Sequence, residues 1–381
     1  MPAFAKATPT ISLSRRKRRT ITANRRLHTI RIERLRAELR TAGADAFISA
    51  FCPHLRYFGG FSGSSGMIFI SQDAAFFLTD FRYKEQSVSE VTACRRIIAR
   101  DLFAAASRRG IFAGVKTIVF DEDNSSYRFA SDVRRYTAPA EVRPASGIAA
   151  RCMTCKDDIE IASLTQAASI SDRVFTDLLG LIRPGVTELD LVAEIASRHR
   201  RYGAENDAFD TIVASGPHSS MPHARPTTRA LAAGDFVTID FGCIFDGYHS
   251  DITRTVAVGR ASRAMKDVYA VVLEAQVTGI AAARAGITGK QLDRTVRRII
   301  AQRGYGKYFV HGLGHGIGLQ IHEEPKVSKI NTNELNEGAV ITIEPGIYLP
   351  GAFGVRIEDD VVLRNGGCDV ITRSPKELII L

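Results

Sequence analysis

Apolar residues at three- and four-residue spacing mark the first regular element of the chain. Ile32, Leu35 and Leu39 share one face of the stretch Ile30 to Leu39, which predicts a helix. Short apolar runs follow: Ala46-Phe47-Ile48, Met67-Ile68-Phe69-Ile70, Ala74 to Thr79, and part of Ile111 to Phe120. Each is too short for a helix and reads as a strand. Together they predict an α/β domain of roughly a hundred residues. The pattern changes after Arg143 to Cys155, which reads as a linker. Asp157 and Glu160 make a capping-box pattern, and Leu164, Ala167, Ala168, Val174, Phe175, Leu178 and Leu179 then recur with helical period. Arg183-Pro184-Gly185-Val186-Thr187 breaks that helix, and Thr187 with Asp190 opens another running to about Tyr202. Beyond it, strands and helices come in blocks rather than in regular alternation. That predicts an α+β domain with an antiparallel sheet.

Four strands of this second region carry acids where alternation predicts burial. From Asp235 to Phe241, the side chains of Val237, Ile239 and Phe241 point one way and those of Thr238 and Asp240 the other. Asp246-Gly247 is a turn signal, and Ser250 to Val258 returns with Asp251, Thr253 and Thr255 on one face. Asp240 and Asp251 are thus expected to meet across a hairpin, given a bulge or a wider loop. A second hairpin repeats the arrangement. Ala339 to Glu344 ends at Pro345-Gly346, and Gly354 to Leu363 puts Arg356, Glu358 and Asp360 on one face. An acid within a strand is poor β material, and facing carboxylates repel. A divalent cation resolves both problems; edge-strand acids in water are the plain alternative.

Histidine converges on the same region. His311, His315 and His322 fall close together in a run whose glycines, from Gly312 to Gly318, make a poor helix. The imidazoles are therefore not one helical turn apart, as in a helical zinc motif. The run reads as backbone folded tightly against a neighbour, the alternative being a glycine-rich connector. Four acids and a histidine on one sheet suit two hard-to-borderline divalent ions better than one, which favours metal-assisted hydrolysis. Arg356, two residues from Glu358 on the same side, is placed to hold a carboxylate in a bidentate contact, with Asp251 or Glu358 the expected partner.

Charge and cysteine narrow the context. The formal net charge is +10 over 381 residues, but residues 1–36 hold eleven Lys or Arg and a single acid, Glu33. The remaining residues balance at 40 basic and 40 acidic, so the folded body carries no basic footprint for nucleic acid. Residues 1–26 lack apolar periodicity, and disorder is expected there; an organelle transit peptide or a mis-assigned start also suits the composition. No apolar run approaches the ~20 residues of a membrane span. Six scattered cysteines suggest no disulfide framework and fit a reducing cytoplasm. Cys152-Met153-Thr154-Cys155 is a lone CxxC without a second pair for a zinc ribbon. Gly59 to Gly66 lacks the spacing of a phosphate loop.

In order and local context, Asp240, Asp251, His315, Glu344 and Glu358 resemble the five ligands of the pita-bread metallopeptidases, the Xaa-Pro aminopeptidases, prolidases and methionine aminopeptidases. The matching contexts are Val237 to Gly242, Ser250 to Thr255, His311 to Gly318 with His322-Glu323, Thr342 to Gly346, and Val355 to Asp359. Tyr57 to Gly66 and Leu78 to Tyr83 resemble the amino-terminal domain of the Xaa-Pro branch. The resemblance implies an α+β chain, and three parts are expected. Two follow the resemblance, a creatinase-like α/β domain over 27–145 and a pita-bread catalytic domain over 156–381; the third, the basic tail over 1–26, has no counterpart in the family and is read from composition alone. The resemblance also implies two divalent ions, manganese first and cobalt or zinc as alternatives. Asp240 would hold one and His315 and Glu344 the other, with Asp251 and Glu358 bridging. Glu344 would also serve as general base, His322 would contact the scissile carbonyl, and His223 and His311 would face the substrate. Arg356 and Thr253 would support the ligands. The implied activity is hydrolysis of the bond between an N-terminal residue and proline by a cytoplasmic homodimer. The alternatives are a creatinase-like amidinohydrolase or a non-catalytic peptide- or protein-binding relative. Cys243, placed after Gly242 where the resemblance favours a small residue, raises the prospect of a thiol beside the metals.

Overall fold

The computed structural model describes residues 15–381, with side chains from Asn24 onward. The chain divides into two compact units at Cys152 and Met153. In the first, α1 (Arg15–Thr41) extends the helix expected over Ile30 to Leu39 back to Arg15. Residues 1–14 of the expected tail lie outside the described residues. A six-stranded sheet follows. Its strands are β1 (Ala46–Ser49), β2 (Met67–Ser71), β3 (Ala75–Thr79), β4 (Arg95–Ile98), β5 (Thr117–Phe120) and β6 (Glu141–Pro144), in the order β4-β3-β2-β1-β5-β6. β1–β2 and β2–β3 are antiparallel and the other pairs parallel. Helices α2 (Cys52–Gly59), α3 (Lys84–Glu90), α4 (Leu102–Arg108) and α5 (Tyr127–Thr137) connect them. Ile48, Phe69, Leu78, Ile118, Phe120 and Val133 fill the core of this unit. The stretch read as a linker instead ends β6 and forms α6 (Ile148–Thr154). Ile148, Ala149, Cys152 and Met153 are buried there, so its short apolar run supplies packing that loop composition concealed.

The second unit begins with α7 (Asp158–Leu178) and α8 (Glu188–Arg201). Both open on the capping boxes expected from the sequence, Asp157 with Glu160 and Thr187 with Asp190. Their apolar faces, including Val174, Phe175, Leu191 and Ile195, pack on Val237, Ile239 and Phe241. Those three residues belong to β9 (Phe236–Phe241), which lies between β8 (Ile212–Ser215) and β12 (Ile252–Ala257). A second layer of the same design uses α9 (Arg263–Ala282) and α10 (Gly289–Gln302). They cover a five-stranded sheet in the order β14 (Glu323–Val327), β13 (Gly314–Gly316), β15 (Val340–Ile343), β18 (Asp359–Arg364) and β19 (Gly367–Val370). The small sheets are β7 (Asn206–Asp207) with β10 (Cys243–Phe245) and β11 (Tyr248–His249), and β16 (Gly346–Leu349) with β17 (Phe353–Arg356). Every strand pair of this unit's sheets is antiparallel. No helix among the described residues is long and apolar enough to cross a membrane.

Both acidic hairpins hold one register across a break between sheets. In the first, Phe245 faces Tyr248, Ile244 faces His249, Phe241 faces Ile252 and Asp240 faces Thr253. The turn is two residues long, with Asp246 at φ 47° and Gly247 at φ 72°, the left-handed pair that a tight hairpin requires. No bulge or wider loop is used. Asp251 falls opposite Gly242 in this register, diagonal to Asp240 and on the same face, which is close enough for side chains to converge. A Cβ on Gly242 would come within 1.8 Å of the Ser250 carbonyl oxygen, so only glycine permits this crossing. In the second hairpin Ile343 faces Asp359 and Gly346 faces Arg356, leaving Glu344 opposite Glu358. The expected single strand Gly354 to Leu363 is therefore two, β17 and β18, because its partner leaves one sheet for the other at Glu344-Pro345.

Candidate metal centre

Each sheet break delivers its acids into one space. Ligand atoms of Asp251, His315 and Glu358 all lie within 4.8 Å of one another. His315 Nε2 is 3.7 Å from Asp251 Oδ2 and 3.6 Å from Glu344 Oε1. The His315 ring is oriented by its other nitrogen: Nδ1 donates to the Gly316 carbonyl at 3.1 Å, which leaves the Nε2 lone pair facing the carboxylates. The glycines around it have a steric cause. A Cβ on Gly314 would lie 2.1 Å from the Thr342 carbonyl oxygen, where β13 presses on β15. Asp240 joins through Arg356, whose Nη2 donates to Oδ2 at 2.5 Å.

The charge state follows from burial. Asp251 is pushed well above the usual carboxylate range by desolvation, then by Glu358 and Asp240. Glu358 is raised by desolvation and by Glu344 and Asp240. Desolvation carries Glu344 up to about 8 against the pull of Arg356. Burial lowers His315 to about 4, keeping it neutral and able to donate its lone pair. Asp240 Oδ1 and Asp251 Oδ1 are buried with no hydrogen-bond partner. Orphaned carboxylate oxygens beside a neutral imidazole, with too little positive charge to balance them, are the donor set that divalent cations fill. The residues fit metal ions.

Supporting contacts differ in part from expectation. Arg356 is bound to Asp240, not to Asp251 or Glu358, because β17 turns it across the first hairpin. It reaches Glu358 indirectly: Nε donates to Thr253 Oγ1 at 3.1 Å, and Thr253 donates to Glu358 Oε2 at 2.6 Å. Arg356 Nη1 also donates to Tyr348 Oη at 2.7 Å and to the Pro222 carbonyl at 3.3 Å, next to His223. His311 Nδ1 donates to the Gly312 carbonyl at 2.8 Å, so its Nε2 accepts from Tyr348 Oη at 2.9 Å. His322 is exposed, with its ring edge-on to His315 at 4.3 Å between centroids, and burial of its inner side lowers its pKa. His223 is exposed and close enough to His311 and His322 to lower both electrostatically.

Sequence reasoning missed Tyr348, and it placed Asp360 on the face of Glu358 without giving it a part in the site. Tyr348 sits on β16 with no acidic pattern to flag it. Asp360 accepts from the Asp251 backbone N–H at 3.0 Å, and alternation with Glu358 was the signal available for it. Cys243 is not beside the acids. It points into the α7 side, donating to the Ala167 carbonyl, and burial pushes its thiol up to about 11.

A two-unit chain whose second unit holds a buried carboxylate and imidazole cluster on paired hairpins has the build of a metallopeptidase with an added amino-terminal domain. Residues 162–365 match metallopeptidase family M24, and residues 31–152 match the Creatinase/Prolidase N-terminal domain. The chain belongs to metallopeptidase family M24. It is 36% identical to a Xaa-Pro dipeptidase of Pyrococcus horikoshii, over 88% of this chain and 94% of that protein. Among solved structures, a Xaa-Pro dipeptidase from Bacillus anthracis superposes with TM-score 0.90 at 41% identity, covering 93% of this chain and all of that one. An X-Pro aminopeptidase from Thermotoga maritima gives TM-score 0.84 at 37% identity, over 91% of this chain and all of that one.

Proposed function

We propose that Asp240, Asp251, His315, Glu344 and Glu358 hold two divalent ions, manganese first, and that the site they form hydrolyses the bond between an N-terminal residue and proline. The chain is an M24 peptidase of the Xaa-Pro dipeptidase and aminopeptidase P type. The observation that carries the metal reading is the convergence of Asp251, His315 and Glu358 within 4.8 Å. An Xaa-Pro bond is a tertiary amide without an N–H, so recognition falls on the carbonyl and the ring. Bound divalent ions supply Lewis acidity and a water acidic enough to attack at neutral pH.

The protein's own groups do the rest. Glu344, opposite Glu358, takes the proton from the attacking water and passes it to the leaving proline nitrogen. His322, exposed beside His315, donates to the carbonyl oxygen as it gains charge. His223, and His311 held by Tyr348, also face the substrate. Tyr348 Oη, committed to Arg356 and His311, is fixed rather than free to titrate, and burial raises it to about 12. The six free cysteines support a reducing, cytoplasmic setting, and a second copy of the chain is the proposed partner.

The test compares an Xaa-Pro dipeptide with an Xaa-Pro-Xaa tripeptide, with Mn²⁺ added to chelated protein. Restored cleavage of either peptide bears out the metal reading, and the ratio of kcat/KM sets the substrate length. His322→Ala should keep its metal and lose kcat by about 10²–10³, the scale of one lost oxyanion donor. His315→Ala should lose metal instead. Equal metal loss in both would make His322 a ligand and overturn its assignment.

A further inference from the structure

His322 is exposed, yet it must hold one orientation to act as a donor, and its ring rests edge-on against His315. The adjoining residue does not steady the ring directly. Both oxygens of Glu323 are engaged elsewhere: Oε2 with Lys156 Nζ at 2.9 Å, and Oε1 with the Gln320 backbone N–H at 3.0 Å. The carboxylate thus folds back over its own turn, and a Cβ on Gly318 would meet Glu323 Oε2 at 2.6 Å. The other end of that turn is pinned too. The Gly318 carbonyl accepts from the His249 backbone N–H at 2.9 Å and from His249 Nδ1 at 3.1 Å. His322 sits between these two anchors.

Lys156 is itself held rigidly. Its backbone N–H donates to the Gly338 carbonyl at 2.9 Å, Cys155 bridges to Ala339 just before β15, and Asp157 caps α7 immediately afterwards. Its side chain is 1% exposed and that of Glu323 6%. A buried ion pair of this kind contributes little net stability against an apolar replacement, but it sets geometry where both partners are fixed. We propose that Lys156 and Glu323 are positioning residues for His322: the ion pair closes the 318–323 turn and thereby aims the imidazole at the scissile carbonyl. This rests on the role given to His322 above. The Glu323 carboxylate is engaged with Lys156 and with the Gln320 backbone, and both residues act through the backbone of residue 322.

The experiment is a cycle in the metal-loaded full chain, with Lys156→Met and Lys156→Arg each made with and without His322→Ala. Kinetics are read on an Xaa-Pro dipeptide, and metal per chain is measured. Misplacing a reacting group costs of the order of 10–100-fold, so Lys156→Met should lower kcat by about that factor. KM and metal content should stay within about twofold, and Lys156→Arg should retain most of kcat. In the His322→Ala background Lys156→Met should change kcat by less than about twofold, because residues that act as a unit are not additive. Full kcat in Lys156→Met, the same loss in both backgrounds, or loss of metal overturns the proposal. If Lys156→Met fails to fold, Lys156→Met/Glu323→Gln removes both charges and is read the same way. Unchanged kcat in His322→Ala alone defeats the role of His322 and this proposal with it. A loss there with none in Lys156→Met defeats only the positioning pair.

Discussion

Two buried arginines cross between the two acidic hairpins, one on each face. Arg254, on β12, reaches behind the sheet to Asp359, with the two side chains 1% and 0% exposed. Arg356, on β17, reaches across the front to Asp240. The rear pair is closed. All the donor nitrogens of Arg254 are used, on Asp359 and on the carbonyls of Thr253, Glu358, Ser374 and Pro375. Asp359 also accepts from Thr372, Gln276 and Lys376. The front pair is open. Asp240, Asp251 and Asp360 each keep a buried oxygen with no partner. The same residue types thus serve two ends. Where the carboxylate's oxygens are met, the pair ties the hairpins together; where carboxylate oxygens are left over beside His315, the donor set suits cations.

Breaking the rear pair should cost the most. Arg254→Ala leaves a buried carboxylate short of its main partner and should destabilise the protein by about 3–5 kcal/mol. Denaturant unfolding of the chelated and metal-loaded forms should show the same loss in both. A loss that metal repairs would mean the rear face belongs to the site.

Arg356→Ala should act on function instead, lowering metal affinity or activity by about 10–100-fold. Titration of chelated protein with Mn²⁺, followed by peptidase assay, measures both. Wild-type values in both would detach Arg356 from the centre.

Isosteric neutralisation should have opposite signs on the two faces. Asp251→Asn relieves a carboxylate that burial and its neighbours disfavour, so metal-free protein should gain about 1 kcal/mol while metal binding is lost. Asp359→Asn should only destabilise. Matching signs in thermal melts would erase the distinction between the faces.

The smallest effect is a pH slope. Burial moves His315 and His311 down to about 4. Above about pH 7 they are therefore neutral in folded and unfolded chains alike. Glu344 at about 8, with Asp251, Glu358 and Asp360 also raised, keeps protons in the folded metal-free protein that the unfolded chain has released. The folded state binds more protons, so stability falls as pH rises. Tm of chelated protein should drop between about pH 7 and 8, and added Mn²⁺ should flatten the slope. A rising Tm without metal would contradict the crowding of carboxylates.

Much of this was legible in the chain because its signals are local. The capping boxes at Asp157 and Thr187, the alternation through Val237 to Phe241 and the Asp246-Gly247 turn depend on near neighbours, and each forms where the pattern indicates. The hairpin registers were less legible. The Asp240 and Asp251 spacing suggested a bulge, whereas a strict two-residue turn places them diagonally. Glu323 is next to His322 in the chain, yet its carboxylate belongs to Lys156, remote in sequence.

By itself the sequence determined which residues carry charge in strands otherwise built for burial, and where glycine replaces every other residue. Those are properties of composition and period, readable along one dimension. Only the tertiary structure decided which acid each arginine serves, which lone pairs stay unmet, and that Cys243 turns towards α7. These depend on which strands meet and on which side a chain crosses. Two strand carboxylates, Asp240 and Asp359, each take an arginine, and what else the fold brings to their oxygens sets them apart.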